Sequence, residues 1–294
     1  MDTLDLGLAA LTSDEAPNAS SRTVAGVLAM TAAVVGLAAV KWLSDLTAQR
    51  VAGPSGSNPG GVYLGKDGVK RYLKFYEDPA QAAGEQLANR IYEWVGVDAP
   101  KSRTYPEATD RGYVFASEIL PCEHHLRDVL DGPEGATYAR RFLDGFVADV
   151  LIGNWDAVGL VHDNAVVLPD GRVVRVDNGG AFLMRAMGGR KPPGLLNDIT
   201  EYEVFASSRN PSYQAVMRKA GWVDRSGRET PLMKREVASQ MDRLRSLTGD
   251  DPERLAGLAS GLLKETSATA ADRARMIEML KSRYRLLDQR VGAR

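Results

Sequence analysis

The chain has 294 residues, 44% hydrophobic and 26% charged, which is enough apolar mass for a sizeable core and too much for global disorder. Lys and Arg number 37 and Asp and Glu 38, a formal net charge of -1 that excludes a histone-like or tail-type nucleic-acid binder, so no specific nucleic-acid partner is expected. One cysteine, Cys122, and three histidines exclude a disulfide framework and a multi-cysteine metal centre.

Residues 1–22 read as a mobile acidic tail, with Asp2, Asp5, Asp14 and Glu15 ahead of the first basic residue. Without a positive start it is not a secretory signal. A helical segment is expected over 23–50, and its apolar run from Val24 to Val40 is broken only by Thr31. Those 17 residues, six of them Ala, lie at the lower edge of a bilayer span. Two readings stay open: a membrane anchor that leaves the rest in the cytoplasm, or a buried or partner-docking helix.

The texture then changes. Gly53-Pro54-Ser55-Gly56-Ser57-Asn58-Pro59-Gly60-Gly61 holds almost nothing that can pack, yet it leads into a hairpin. Val62-Tyr63-Leu64 and Val69 to Tyr76 flank the turn Lys66-Asp67-Gly68. From Pro79 a helix is expected, with Ala83, Leu87, Ile91 and Val95 at four-residue steps. Tyr113 to Leu120 reads as a strand, which closes a β-rich portion with one helix over 53–120.

Over 121–294 helix predominates. One helix is expected from Ala136 to Ile152, its apolar face made by Leu143, Phe146, Val147, Val150 and Leu151. A second hairpin joins Ala165–Leu168 to Val173–Val176 through Pro169-Asp170-Gly171. Thr230-Pro231 fits the start of another helix, and Thr269 to Asp272 fits the start of the last. The order predicts an α+β chain of two lobes with a ligand cleft between them.

Several residue groups carry chemistry. Gly60 to Lys66 imitates a phosphate-binding P-loop, but Asp67 stands where Ser or Thr must ligate magnesium, and no helix follows. The better phosphate cradle is the glycine-rich loop itself, with Gly56, Gly60 and Gly61 letting backbone N–H groups approach a polyphosphate. Lys74, on the next strand, either joins that site or faces solvent. Glu85 either pairs with it or is a solvated helix residue.

The densest constellation is Gly153-Asn154-Trp155-Asp156, followed by Asp163-Asn164 and Asp177-Asn178-Gly179-Gly180 at the two ends of the second hairpin. A hairpin brings its ends together, so Asn164 and Asp177 should face each other as magnesium ligands beside a triphosphate. Asp156 is placed to accept or orient the proton of an attacking hydroxyl. Cys122-Glu123-His124-His125 and the basic residues Arg185, Arg190 and Lys191 are weaker candidates, the latter for phosphate or an acidic substrate.

Taken with Tyr72-Leu73-Lys74 and the strand Tyr113-Val114-Phe115-Ala116-Ser117-Glu118-Ile119-Leu120, these motifs resemble the protein-kinase-like superfamily over roughly residues 53–191. The nearest branch is that of HipA-type and phosphatidylinositol 3-/4-kinase-like proteins, with bacterial and phage relatives. The resemblance implies a two-lobed protein-kinase-like fold that uses ATP and Mg²⁺ to move the γ-phosphoryl group to a hydroxyl, chiefly a protein Ser or Thr. Alternatives are a lipid or small-molecule kinase and a non-catalytic pseudokinase that binds nucleotide or a partner.

It also implies roles. Lys74 contacts phosphates, Glu85 anchors Lys74, and Asp156 is the catalytic acid/base or orienting group. Asn164 and Asp177 hold Mg²⁺, and the backbone of Glu118, Ile119 and Leu120 meets adenine. That branch places the metal-binding Asn five residues after the catalytic Asp, whereas Asn164 follows Asp156 by eight. Asp163 therefore shares or replaces one of these roles.

Overall fold

The computed structural model describes residues 42–54, 58–185 and 188–292. The tail at 1–22, the apolar run at 24–40 and Gly56 lie outside the described residues. Residues 45–294 form one compact unit. Among the described residues, no helix is long and apolar enough to cross a membrane.

The unit opens with an antiparallel sheet of five strands: β1 Gln49–Ala52, β2 Gly60–Leu64, β3 Lys70–Tyr76, β4 Ser102–Thr109 and β5 Gly112–Glu118. Their spatial order is β1-β2-β3-β5-β4, so β3, which carries Lys74, is central. β1 starts within the segment expected to be helical over 23–50, and β4 was not foreseen. The first hairpin turn closes through Gly65 N–H donating to Val69 O at 3.0 Å and Gly68 N–H to Gly65 O at 3.0 Å.

Between β3 and β4 lies α1, Pro79–Trp94. Asp78 caps it by accepting the Ala80 N–H, Pro79 supplies a preset φ at its first position, and Gly96 at φ 77° ends it. Twelve of its 16 residues are buried, far more than a narrow apolar stripe would cover. Ala83, Leu87 and Ile91 join a core shared with Met276 and Leu280 of the last helix.

The remainder is helical around a small three-stranded sheet. The short strand β6 His124–His125 pairs with β7 Ala165–Val167, which pairs with β8 Val173–Arg175. Around it run α2 Leu126–Leu130, α3 Gly135–Leu143, α4 Phe146–Leu151, a 3₁₀ turn at Pro193–Leu195, α5 Glu201–Val204, α6 Pro211–Ala220, α7 Pro231–Thr248, α8 Pro252–Leu263 and α9 Ala270–Gly292. Thr230 accepts the Met233 N–H at 3.3 Å and so caps α7 as its sequence suggests. Met233, Val237, Met241 and Leu244 face the core from α7, as do Met276, Leu280, Tyr284 and Leu287 from α9.

One expected element is two. The helix predicted over 136–152 breaks at Asp144-Gly145 into α3 and α4. The break lets the backbone pack on the second hairpin: a Cβ on Gly145 would lie 2.6 Å from the buried guanidinium of Arg175. Arg175 lies in β8 and donates from Nε and NH2 to both oxygens of Asp149, each at 2.8 Å, and from NH2 to Phe142 O at 2.6 Å. Tyr92 and Tyr213 donate their hydroxyls to the same carboxylate at 2.7 and 2.6 Å. This fully buried pair holds α4, and hence Gly153-Asn154-Trp155-Asp156 after it, against the second hairpin.

Candidate functional site

A cavity of about 290 Å³ lies between the five-stranded sheet and the small sheet. Tyr72, Lys74 and Phe115 line it from above, Val166 and Val176 from below, and Glu118, Ile119 and Leu120 lie along its edge. Among the described residues of the glycine-rich loop, Asn58 reaches it. Gly60 and Gly61 are ladder residues of β2, opposite Lys74 and Leu73. Their need for glycine is set by the sheet: a Cβ would meet Leu73 O at 2.1 Å from Gly60, and Ala52 O at 2.3 Å from Gly61.

Lys74 is buried, not on a solvent face. Its Nζ donates to Glu85 Oε1 at 2.7 Å and to Asp177 Oδ1 at 2.6 Å, and it lies 5.7 Å from the centroid of the Phe115 ring. Burial opposes the ammonium, but Glu85, Tyr76 and Asp177 outweigh it and hold Lys74 well above its ordinary range. Glu85 is also buried, and its other oxygen accepts the Tyr76 hydroxyl. The solvated-helix alternative for Glu85 is thereby removed.

The second half of the site forms where the Gly153-Asn154-Trp155-Asp156 segment and the second hairpin meet. Asn164 donates its side-chain amide to Asp156 O at 2.8 Å and to Asp156 Oδ2 at 3.2 Å. The Val176 N–H donates to Asn164 O at 2.9 Å, which closes the hairpin base so that Asn164 and Asp177 come together. Asp177 sits at φ 56°, an uncommon conformation for a non-glycine residue, of the kind found at functional sites. Burial, and then the Asp177 charge, push the Asp156 carboxyl up to about 6, with the Asn164 hydrogen bond opposing.

The eight-residue spacing has a local cause. Ala157 and Val158 are buried, Gly159 turns at φ 75° and His162 at φ 59°, and the segment bulges outward. Ser212 Oγ donates to Leu160 O at 2.7 Å and His162 Nε2 to Ser212 O at 3.0 Å, pinning the bulge on the start of α6. Leu160 and Val161 are left exposed, and Asn164 returns to Asp156. Asp163 turns its side chain toward Gly159, while its backbone carbonyl meets His125 Nδ1 at 3.3 Å.

Other candidates resolve differently. His124 and His125 form strand β6, and Cys122 lines the cavity edge. Lys191 is buried rather than solvated, and its Nζ donates to Gly153 O at 2.6 Å, Phe182 O at 2.9 Å and Gly180 O at 3.1 Å. Burial brings its ammonium down to about 7, with Glu201 opposing and Arg283 adding. Glu201 accepts the Trp155 indole N–H at 2.5 Å and is paired with Arg283, so the segment Gly153 to Asp156 rests on a buried charged cluster. Arg190 is tied to Asp78 and Asp272.

Sequence reasoning missed a buried polar chain under the site. Asn154 donates to Asn178 Oδ1 at 3.0 Å and Tyr92 Oη at 3.2 Å, and Asn178 Nδ2 donates to Asn89 Oδ1 at 2.8 Å. The Asn178 N–H donates to Glu85 Oε1 at 3.1 Å. Asn89 lies four residues after Glu85 on one helix face, and Tyr76 two after Lys74 on one strand face; that periodicity was the available signal.

The donor set fits a magnesium ion that arrives with a nucleotide. Among the described residues no three His, Cys, Asp or Glu side chains form a metal group. The Asp177 carboxylate and the side-chain amide oxygen of Asn164 are the kinds of ligand Mg²⁺ takes when phosphates supply most of the rest.

No family model matches this sequence, and no curated protein matches it. Solved structures do. The chain is similar to the proinflammatory kinase CtkA of Helicobacter pylori, with TM-score 0.53 and 13% identity over 83% of this chain and 95% of that one. Weaker likenesses include the pseudokinase domain of BIR2, an immune regulator of the RLK/Pelle family (TM-score 0.33, 12% identity, 82% and 80% covered). Another is the MAP kinase LmaMPK10 of Leishmania major (TM-score 0.29, 12% identity, 85% and 87% covered). The architecture is that of the protein-kinase-like fold.

Proposed function

We propose that the chain is an ATP- and Mg²⁺-dependent phosphotransferase of the HipA-type and phosphatidylinositol-kinase-like branch, acting on a protein Ser or Thr hydroxyl. One observation carries the reading: Lys74 is held between Glu85 and Asp177 at 2.7 and 2.6 Å in a cavity that Glu118, Ile119 and Leu120 also line.

In this reading the base lies among Tyr72, Val166 and Val176, and its edge is met by the backbone of Glu118, Ile119 and Leu120. Lys74 steadies the phosphates, and Glu85 with Tyr76 fixes Lys74. Asn164 and Asp177 would hold Mg²⁺, which when bound would neutralise phosphate charge. Asp156, raised to about 6, can be a carboxylate at neutral pH and take the acceptor's proton. Asn164, hydrogen-bonded to Asp156, fixes its orientation. The spatial order of Asp156, Asn164 and Asp177 around one hairpin supports the branch assignment.

The test is label transfer from γ-labelled ATP, with Mg²⁺ and a Ser/Thr peptide library, by the wild type, Asp156→Asn and Asp177→Asn. We expect losses of about 10²-fold or more for each variant. Equal transfer by all three would overturn the site. Mg²⁺-independent nucleotide binding without transfer would instead support the pseudokinase, and transfer to lipid alone the lipid kinase.

A further inference from the structure

The segment that follows Asp177 makes a contact that a solvated basic stretch would not. The two edges of the Arg190 guanidinium hold two different carboxylates, each at a helix start. Nε donates to Asp78 Oδ2 at 2.8 Å and NH2 to Asp78 Oδ1 at 2.9 Å. NH1 donates to Asp272 Oδ1 at 2.5 Å and NH2 to Asp272 Oδ2 at 3.2 Å.

Asp78 is the N-cap of α1, its Oδ1 also accepting the Ala80 N–H at 2.8 Å. Asp272 is buried in the first turn of α9 and accepts the Thr269 hydroxyl at 2.8 Å. Bidentate, charge-assisted bonds of this kind fix direction as well as distance.

α1 is the helix that carries Glu85, two turns after Asp78. Its flank at Gly84 runs close to the same neighbours: a Cβ there would lie 3.8 Å from Ala181 O and 3.9 Å from Met276 of α9. Farther along, Asn89 is held by Asn178. The helix is therefore fastened in its middle and toward its end by buried contacts, and at its start by Ala80 in the core, by the Gln81 amide on Gly179 O at 3.4 Å and by Arg190. That start is the part with a charged, half-exposed fastening.

We propose that Arg190 is a positioning residue for phosphotransfer: it clamps the start of α1 to α9 so that Glu85 holds Lys74 in place before any nucleotide arrives. The inference rests on the phosphotransferase reading for its kinetic part only. The clamp acts through Asp78, α1 and Glu85, and Arg190 touches no reacting group.

The experiment compares Arg190→Gln, Asp78→Asn and the double variant with the wild type, by amide hydrogen exchange over 80–88 without nucleotide and by kcat and KM for ATP. Asn remains a good N-cap, so Asp78→Asn removes the ion pair and keeps the helix start. We expect each single variant to speed exchange over 80–88 roughly threefold to tenfold, the range for networked ion pairs at this exposure. kcat should fall by a similar factor, the double variant should be no worse than either single one, and Arg190→Lys should recover part of the loss.

Unchanged exchange over 80–88 in folded Arg190→Gln overturns the clamp. So does faster exchange with kcat intact, which would leave Arg190 a structural contact only. If Arg190→Gln does not fold, Asp78→Asn and Asp272→Asn decide by the same readouts. A wild type without phosphotransfer would refute the proposed activity, while the exchange measurement would still decide the clamp.

Discussion

Replacing Asn178 by Ala tests whether the buried asparagine chain holds the site together. The truncation removes the bond from Asn154 at 3.0 Å and the bond to Asn89 at 2.8 Å. It strands one amide hydrogen of Asn154 and the carbonyl oxygen of Asn89, and both residues are buried. Each orphaned group costs about 1–3 kcal/mol, so we expect a loss of about 3 kcal/mol. For a unit of this size that lowers Tm by about 6–12 °C.

The decisive assay is a urea-unfolding cycle of Asn178→Ala, Asn89→Ala and the double variant. Each single variant orphans one end of the Asn178–Asn89 bond and the double variant orphans neither, so it should cost about 1–2 kcal/mol less than the sum of the singles. Additivity within about 0.5 kcal/mol would refute the coupling. Calorimetry should also show weaker Mg·ATP binding by Asn178→Ala, because the lost side-chain bonds position the backbone beside Asp177, whose next N–H holds Glu85.

Two further outcomes follow from the geometry. Asp156, raised to about 6 chiefly by burial and then by Asp177, must be a carboxylate to accept a proton, so kcat should rise with pH through about 6 and level off above. A profile flat from about pH 5 to about pH 8 would remove Asp156 from that role. The linkage to folding has the opposite sign: the folded chain keeps this proton to higher pH than an unfolded Asp does, so the group's contribution to stability falls as pH rises from about 4 to about 6. Gly145→Ala puts a methyl 2.6 Å from the Arg175 guanidinium and should destabilise by about 2 kcal/mol or more by chemical denaturation; a variant as stable as the wild type would show that Arg175 moves aside freely.

The parts that were legible in the sequence are those whose chemistry is local. Both hairpins announced themselves through Lys66-Asp67-Gly68 and Pro169-Asp170-Gly171, and α1 through Pro79 and its four-residue repeat. β4 did not, because Ser102 to Thr109 is polar, contains Pro106 and lies at a sheet edge, where pairing with β5 rather than burial makes it a strand. The break between α3 and α4 falls at Gly145, itself a local signal against helix; its packing against Arg175, thirty residues downstream, is what no window around it could show.

For the site, the order of Asp156, Asn164 and Asp177 could be read directly, whereas the state of Lys74 and Glu85 could not. A helical wheel places Glu85 beside the apolar stripe, and only the approach of β3 turns that position into a buried anchor. Arg190 and Lys191 look alike in sequence, yet one clamps two helix starts and the other is buried against three carbonyls, because each meets partners brought from distant segments.

The shared core under α1 bears on how the chain comes apart. Ala83, Leu87 and Ile91 of α1 are packed with Met276 and Leu280, which are contributed by the far end of the chain. A fragment cut after residue 120 would carry that apolar face into water, and the rest would lose the surface on which α9 rests. The two lobes share this core rather than folding as autonomous units: synthesis must reach α9 before the helix that carries Glu85 has its full packing.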